Sequence, residues 1–421
     1  MAIIVSQINL FDYSEIEKLG DLERLDLAFD GINDEKLMQK LEAKRGNGRD
    51  DYPVRVMWNL LIAMMVFEHK KVSSFRRELS RNAQLRRKCG LCDWENKKHI
   101  VPPARVFSGF ISTLSKETDE IAEIFNLQVE EIYELIPNFG KTLAGDGKYI
   151  GSYAKREPKD QTSTDNRTEN DAKWSVKEYR YTDKNGKKQV KKEYHYGFKA
   201  HIICDVETEL PVSYSVTAAN ADEKKEMIKL LESPLLSNKK RRKTAEYLLL
   251  DRGYDSTDTI KTVKKAGIIP IIDICNKWKD GEKTRQYKDT DIVYDYKGNV
   301  FFVDNTGEIH KMKYEGYDRQ KKCLRYSYNR KTFKIYTSYD ERIFLPIARD
   351  SLKFKRIYKG RTAVERLNGR LDRDYMFEDH CVRGLKKMTL MLGLSMIIMN
   401  GIAVGKLKSG KEKIRSLKNT A

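Results

Sequence analysis

The sequence has few of the features that mark secreted, zinc-finger or disulfide-stapled proteins. Six cysteines are scattered over 421 residues. The lone Cys-x-x-Cys pair, Cys89 and Cys92, has no second pair at finger spacing, although His69 and His99 lie nearby. We therefore interpret these cysteines as small buried residues, with a structural zinc site as the alternative. No charged segment precedes the first short apolar run, so we expect no secretory signal and a reducing cytoplasm.

Long hydrophobic runs are also scarce. The longest, residues 388–404, is interrupted by Thr389, Ser395 and Asn400 and is short for a bilayer span. We predict a buried core helix there and no membrane partner. No internal repeat of solenoid length is present.

Positive charge, by contrast, is abundant. Lys and Arg together number 81 against 62 Asp and Glu, which gives a formal net charge of +19. Such an excess predicts a polyanionic partner, nucleic acid before an anionic membrane surface. The charge alone does not indicate an enzyme.

Hydrophobic periodicity changes several times along the chain. Residues 1–140 show the pattern of short helices, and Arg76 and Arg77 belong to an arginine-rich face that is either DNA-binding or simply solvated. The following segments are 141–279 with alternating strands and helices, 280–345 with short strands, 346–405 with helices, and a basic tail at 406–421. This organisation predicts an α/β core with an N-terminal all-α domain and an all-β insertion.

Three acidic residues stand out within the predicted core. In "LAGDGKY", Asp146 lies on a strand between two glycines, and in "YLLLDRGYD" a buried strand ends at Asp251. Turn formation or helix capping is the ordinary role of such an aspartate. On a later helix, Tyr358, Arg361 and Glu365 share one face. A surface ion pair between the last two, worth ~0.3–0.5 kcal/mol, is the alternative.

Carboxylates that converge in a basic protein have a chemical explanation. They repel one another, and a divalent cation relieves that repulsion; oxygen ligands suit Mg²⁺ or Mn²⁺. Two such ions ~3.5–4 Å apart can activate an attacking oxygen and stabilise a leaving one in phosphodiester chemistry. Tyr358 and Arg361 would then hold backbone phosphates beside the cations.

The sequence resembles the bacterial insertion-sequence transposases of the DDE class, which have an RNase H-like catalytic core. The similarity lies in "YPVRVMWNLLIAMMVFEHKKVSSFRRELSRNAQLRRKCGL", "LAGDGKYIGSY", "YGFKAHIICDVETELPVSYSVTAANADEKK", "YLLLDRGYDS" and "YKGRTAVERLNGRLDRDY", in that order along nearly the whole chain. It implies that Asp146, Asp251 and Glu365 are the catalytic, metal-binding carboxylates.

The resemblance also covers the family's Y-(2)-R-(3)-E-(6)-K signature, except at its end. Tyr358, Arg361 and Glu365 fit, but Asp372 stands where the signature has lysine. Arg370 and Arg373 flank it and are expected to replace the missing phosphate contact. The complete set of expected DNA-binding residues is Tyr358, Arg361, Lys199, His201, Arg252, Arg370, Arg373, Trp278, Arg76 and Arg77.

Two of these expectations have structural alternatives. Lys199 and His201 would contact the cleaved strand, or form a surface pair on an edge strand. Trp278 would hold a flipped base, as an aromatic residue of the insertion does in relatives that cut through a DNA hairpin, or simply pack.

The function implied is that of a DNA transposase. It would cut phosphodiesters at the ends of an insertion sequence and join the freed ends to target DNA, using Mg²⁺ with Mn²⁺ as an alternative. The implied partners are the terminal inverted repeats, target DNA and a second copy of the chain, at the bacterial nucleoid in the cytoplasm. The rival functions are a nuclease of the same fold that does not join ends, and a non-catalytic DNA-binding derivative.

Overall fold

The computed structural model describes residues 20–46, 51–91, 101–156, 165, 167–183, 186–232 and 244–410. The chain divides into two compact units. Unit 1 comprises Met1–Glu131, Arg373–Cys381 and Gly393–Ala421, and unit 2 comprises Ile132–Asp372 and Val382–Leu392. Cys92, His99 and most of the predicted basic tail lie outside the described residues, so the zinc alternative and the tail stay predictions.

The N-terminal region is helical, as the sequence predicts. Its helices are α1 (Asp21–Gly31), α2 (Glu35–Arg45), α3 (Val54–Val66), α4 (Val72–Arg81), α5 (Ala83–Lys88), α6 (Ala104–Leu114) and α7 (Thr118–Leu135). Nearly every residue of α3 is buried, including Trp58, as expected for an apolar helix surrounded by others. In α4, Phe75 and Leu79 are buried and Arg77 is exposed.

Unit 2 is built on a six-stranded sheet. The strands are β1 (Thr142–Gly151), β2 (Lys173–Thr182), β3 (Lys188–Asp205), β4 (Pro211–Ala218), β5 (Tyr247–Leu250) and β6 (Ile269–Ile272). The order is β2-β3-β1-β5-β6, with β4 also paired to β3. β3 is antiparallel to β1, β2 and β4, whereas β5 runs parallel to both β1 and β6. All four residues of β5 are buried, which is typical of a central parallel strand.

Local sequence signals explain several of these elements. β2 and β3 form the hairpin predicted around Gly186. β3 is longer than predicted, however, because its first half continues the hairpin without a break into the half that pairs with β1 and β4. Two helices flank the parallel strands, α8 (Glu223–Glu232) and α9 (Thr257–Lys265). The Ser256 side chain caps α9 by accepting from the Thr259 N–H.

Residues 280–345 contain the predicted short strands. β7 (Arg285–Gln286), β8 (Ile292–Tyr294), β9 (Val300–Val303) and β10 (Ile309–Lys311) form one sheet, and β11 (Lys313–Asp318), β12 (Cys323–Tyr328) and β13 (Lys331–Tyr336) form another. Their shared hydrophobic core is rich in aromatic residues, including Tyr287, Tyr294, Tyr326 and Phe344. This region therefore has a core of its own.

The C-terminal part is helical again. α10 (Leu352–Tyr358) leads through a 3₁₀ turn (Lys359–Arg361) into α11 (Thr362–Arg373), and α12 (Leu385–Lys408) follows. Within the described ranges, only α12 is long and apolar enough to cross a membrane, and 89% of its apolar window is buried inside the protein. The predicted buried core helix at 388–404 is confirmed.

Candidate active site

Asp146 and Asp251 lie on neighbouring parallel strands at the same level of the sheet. The parallel pairing of β1 and β5 ends at Ala144 and Leu249, and continuing its register by two residues sets Asp146 level with Asp251. The Asp251 charge accordingly acts on Asp146. The first aspartate lies within β1, and the second follows the last residue of β5. Because carboxyl ends of parallel strands meet at one edge of a sheet, this arrangement gathers charges that are far apart in sequence.

The environment of Asp146 disfavours its negative charge. Burial raises the pKa of Asp146 to about 6, and the charges of Asp251 and Glu223 act in the same direction. The Gly147 N–H and the Arg361 guanidinium oppose the shift without cancelling it. A carboxylate that is both desolvated and crowded by like charges is stabilised strongly by a nearby cation.

Asp251 also has the ordinary role that the sequence allows. Its Oδ1 accepts a hydrogen bond from the Gly253 N–H at 2.7 Å and caps the short 3₁₀ turn Arg252–Tyr254. The residue is only partly buried. Capping holds the side chain in place at the strand end, so the two interpretations of this aspartate are compatible.

The third acidic residue is brought towards the sheet by the 3₁₀ turn between α10 and α11. A Cβ at Gly360 would lie 2.8 Å from a Val206 methyl carbon and 3.2 Å from one of Leu249, so glycine allows the turn to approach β5 closely. The next residue, Arg361, donates to Glu365 Oε1 at 2.6 Å. The predicted i,i+4 ion pair therefore exists, and the same guanidinium interacts electrostatically with Asp146.

Glu365 remains the outlying member of the predicted triad. In the described part of the chain, no three-residue ligand group that includes it has all its ligand atoms within 4.8 Å of one another. Its side chain is 49% exposed and is held by Arg361. Asn368, one helical turn later, does reach the pair, because its Nδ2 donates to Asp146 Oδ2 at 3.3 Å. The helix therefore contacts Asp146 through Asn368, whereas Glu365 is held by Arg361.

One compact group of ligand-type side chains does occur elsewhere. Asp304 and Glu308 lie in the β9–β10 turn and His310 lies on β10, and their ligand atoms are within 4.8 Å of one another. Asp304 accepts hydrogen bonds from Thr306 and from the Glu308 N–H, which is the pattern of a stabilised turn. We attribute the group to that turn.

The other signature residues lie on the same side of the site. Tyr358 stacks on Phe354 with ring centroids 5.7 Å apart, and the Arg361 guanidinium carbon is 5.9 Å from the Tyr358 ring centroid. Tyr358 and Arg252 line a cavity of 880 Å³ beside Asp251. Arg252 donates twice to Asp273 Oδ2, at 2.9 and 2.6 Å, and its side chain is 63% exposed.

Two residues near the aspartates were not predicted from the sequence. A Cβ at Gly147 would lie 3.3 Å from both the carboxyl carbon of Glu223 and the hydroxyl of Tyr254. Tyr254 is 1% exposed, and its hydroxyl has no hydrogen-bond partner in the described ranges. Glu223 is paired with Lys199 at 2.6 Å. The available signals were the tyrosine in "DRGYDS" and the glutamate at the start of α8, and neither indicates proximity to Asp146.

The departure from the signature at Asp372 has a structural counterpart. Asp372 Oδ2 accepts from Lys148 Nζ at 2.6 Å. Lys148 follows Asp146 by two residues on β1, so both side chains are on the same face of the strand. The signature has its lysine on the helix. In this chain the helix carries Asp372 at that position, and the lysine that pairs with it, Lys148, is on β1.

Three of the expected DNA-binding residues are buried. Lys199 is 8% exposed and His201 fully buried, with its Nε2 2.9 Å from Thr217 Oγ1. Arg370 is 4% exposed and donates to the Glu209 carbonyl at 2.6 Å. Burial disfavours a phosphate contact for all three in this conformation, because DNA would have to reach side chains already enclosed by protein.

The expected base-holding tryptophan also packs against the protein. The Trp278 ring is 6.1 Å from that of Tyr294 and adjoins the hydrophobic core of the β insertion. The Arg285 guanidinium carbon lies 4.4 Å from its centroid. This geometry favours the packing alternative, since a base would have to displace the arginine.

The remaining arginines are more accessible. Arg77 and Arg373 are exposed, and Arg76 is partly buried with its Nε donating to the Pro102 carbonyl at 2.9 Å. Their predicted contacts with DNA are compatible with these positions.

The family is decided by a match to the model of the transposase DDE domain. The match extends over residues 159–400, more than half of the chain. The chain belongs to the DDE transposases. The matched segment includes Asp251 and Glu365, whereas Asp146 precedes it. The predicted family, enzyme class and transposase function are confirmed, and this family implies dependence on a divalent metal and action on DNA.

The transposase is also similar to a solved structure. It resembles the piggyBac transposase, seen by cryo-EM in a synaptic complex with hairpin DNA, with 12% sequence identity and a TM-score of 0.42. The alignment covers 96% of this chain and 79% of that one. No curated protein sequence matches this transposase.

The donor atoms around Asp146 fit a hard divalent cation. Asp146 and Asp251 both carry carboxylate oxygens, the ligand type that Mg²⁺ and Mn²⁺ prefer, and the Asp251 charge acts on Asp146. The buried Tyr254 hydroxyl is an unsatisfied polar group next to them. The pKa of Asp146 is raised, chiefly by burial, so its charged form is disfavoured in the protein alone and a bound cation would stabilise it.

Proposed function

We propose that this transposase cuts DNA at the ends of its element and joins the freed ends to target DNA by two-metal chemistry. The observation that carries the proposal is the level of the partly buried Asp146 with Asp251 in the register of β1 and β5, together with the effect of the Asp251 charge on Asp146. Two close carboxylates in a protein of net charge +19 suit a cation-assisted reaction on a polyanion.

The sheet supports the proposed RNase H-like arrangement. Its strands β4-β3-β1-β5-β6 combine three antiparallel strands with two parallel ones, and the aspartates are on adjacent β1 and β5. We retain the predicted domain organisation as part of the proposal: 1–140, 141–279, 280–345, 346–405 and 406–421.

The residues would divide the work as follows. Asp146 and Asp251 would hold the first cation, and Glu365 would complete the set once Arg361 turns from it to a phosphate. Bound there, Mg²⁺ or Mn²⁺ would supply Lewis-acid activation of the attacking oxygen and stabilisation of the leaving oxygen. Arg361 and Tyr358, which lie against one another, would orient the DNA backbone beside the aspartates.

Further DNA contacts are proposed for the accessible cations. Arg252 is next to Asp251 and largely exposed, Arg77 is exposed on α4, and Arg373 is exposed at the end of α11. The proposed partners are terminal inverted repeats and target DNA, held by a homodimer at the bacterial nucleoid.

The test uses the DNA that flanks the reading frame as the substrate, with Mg²⁺ and a target plasmid. We expect ends cleaved and joined to the plasmid, and no product with Asp146→Asn, Asp251→Asn or Glu365→Gln. Asp289→Asn, an exposed aspartate of the insertion, is the matched control and should keep full activity. Cut ends without joining would identify a nuclease, and unchanged activity in all three variants would refute catalysis at this site.

A further inference from the structure

A second groove lies at the other end of the strands that carry the aspartates. It has a volume of 1620 Å³ and is lined by Lys141, Glu246 and Ile269, which lie at the starts of β1, β5 and β6. Its opposite wall comes from β11, β13 and the turn between β11 and β12. Lys141 precedes Asp146 by five residues, which at about 3.3 Å per residue sets the groove about 17 Å from the aspartates.

The groove gathers positive charge from four separate parts of the chain. The basic residues that line it are Lys141, Lys264, Arg319, Lys321, Lys322 and Lys353. Of the residues that line the groove, only Glu246 and Glu341 are acidic, at 3.9 Å from Lys141 and 3.4 Å from Lys264. Asp318, at the end of β11, interacts electrostatically with Lys321. Across the described ranges, the other four cations make no ion pair with a carboxylate. Positive charges that outnumber their counter-charges repel one another, and a polyanion would relieve that repulsion.

The shape and the other lining residues indicate which polyanion fits. Its volume of 1620 Å³ exceeds the roughly 300–1,000 Å³ of a small-molecule pocket, and Tyr314, Tyr317 and Tyr336 line it together with the ammonium and guanidinium groups. Arg319, Lys321 and Lys322 are exposed on a turn that projects from the β insertion. Flexible cations and hydroxyls spread along an open groove suit successive backbone phosphates.

We propose that this basic groove binds the phosphodiester backbone of duplex DNA at a second position, away from the bond that is cut. With about 3.4 Å between base pairs, 17 Å corresponds to at least about five base pairs from the scissile phosphate. Because its contacts are with backbone phosphates, the groove would bind DNA without sequence preference, beyond the end that reacts. The position along the DNA rests on the proposed function, whereas binding itself does not.

Binding is tested with a fluorescein-labelled duplex of random sequence, by anisotropy over a range of salt concentrations. The variant is Arg319→Gln, Lys321→Gln and Lys322→Gln combined. Its matched control is Lys283→Gln, Lys331→Gln and Lys334→Gln, which removes the same charge from exposed positions of the insertion outside the groove. The groove variant should bind at least about tenfold more weakly, with a salt slope smaller by about 2–3, since each phosphate contact contributes about 0.9.

The position is tested by hydroxyl-radical footprinting on the DNA that flanks the reading frame. The groove variant should lose protection about five or more base pairs from the cut and keep it beside the cut. If the variant binds no more weakly than its control, or loses protection only at the cut, the inference is overturned. The two proposals fail separately: a wild type that binds DNA through the groove but never cleaves it would overturn the catalytic proposal alone.

Discussion

Replacing Asp146 with asparagine should stabilise the folded protein while abolishing its activity. Burial, reinforced by Asp251, raises the pKa of Asp146 to about 6 from an ordinary value of 3.8. Each pKa unit corresponds to 1.36 kcal/mol, so keeping this carboxylate charged in the folded state costs about 3 kcal/mol at neutral pH. Asparagine has a similar shape and no charge, and it can still accept from a neighbouring N–H.

The sign of the pH dependence follows from the direction of the shift. Because the folded-state pKa is raised, the folded protein binds this proton more tightly than the unfolded chain does. The wild type therefore loses stability as the pH rises from about 4 through about 6, and the full cost is present above pH 7. Asp146→Asn should gain up to about 3 kcal/mol in the free energy of unfolding near pH 7.5, and nothing below about pH 4.

Urea unfolding in EDTA, followed by circular dichroism at both pH values, measures this difference. The control is Asp289→Asn, whose exposed side chain should change stability little at either pH. Adding Mg²⁺ should then stabilise the wild type, by about 2.7 kcal/mol at one hundred times the dissociation constant, and should stabilise the variant less. The reasoning is refuted if Asp146→Asn destabilises the protein near pH 7.5, or if its gain is the same at pH 4.

Three further outcomes are expected. A double-mutant cycle on Lys148→Ala and Asp372→Ala should give a coupling energy of about 0.5–1.5 kcal/mol in urea unfolding, because the pair is largely buried. If the losses of stability in the two single variants simply add up in the double variant, the ion pair contributes nothing. Burial lowers the pKa of His201 to about 4, so the wild type should lose up to about 3 kcal/mol in the free energy of unfolding as the pH falls from about 6.5 to 4. His201→Phe should abolish that loss in urea unfolding. An unchanged pH profile in the variant would contradict the burial argument. Glu223→Gln should weaken Mn²⁺ binding in calorimetry by several-fold, because a negative charge near Asp146 is removed. The control Glu232→Gln, at an exposed position, should leave the affinity unchanged. Equal affinities for the two variants would show that the Glu223 charge does not act on the bound cation.

The sequence correctly predicts those helices and strands whose pattern of apolar and polar residues is set within the segment itself. Alternating and continuous apolar runs predict β1, β4, β5 and β6, and the change from helices to short strands predicts the insertion. The length of β3 was not predictable in the same way. Its first half pairs only with β2 and is polar, so it lacks the apolar pattern of the buried half. Backbone hydrogen bonds, which the sequence pattern does not reveal, join the two halves into one strand.

The break between α10 and α11 was likewise missed, although the residue responsible is visible in the sequence. Gly360 lies within a pattern that otherwise continues as a helix, and a glycine there costs only about 1 kcal/mol relative to alanine. Its importance is that Val206 and Leu249 lie where a Cβ would be. A requirement set by distant residues cannot be read from the helix's own sequence.

The same distinction explains why two members of the carboxylate triad come together and the third stays apart. The register of β1 and β5 is fixed by backbone hydrogen bonds and buried side chains, and it sets Asp146 and Asp251 at the same level of the sheet. Glu365 belongs to an exposed helical face and has a counter-charge of its own in Arg361. Moving the glutamate from that arginine towards two other carboxylates would increase repulsion. Strand pairing therefore sets the first two predicted ligands at one level of the sheet, whereas we expect Glu365 to join them only when cations and DNA phosphates offset those charges.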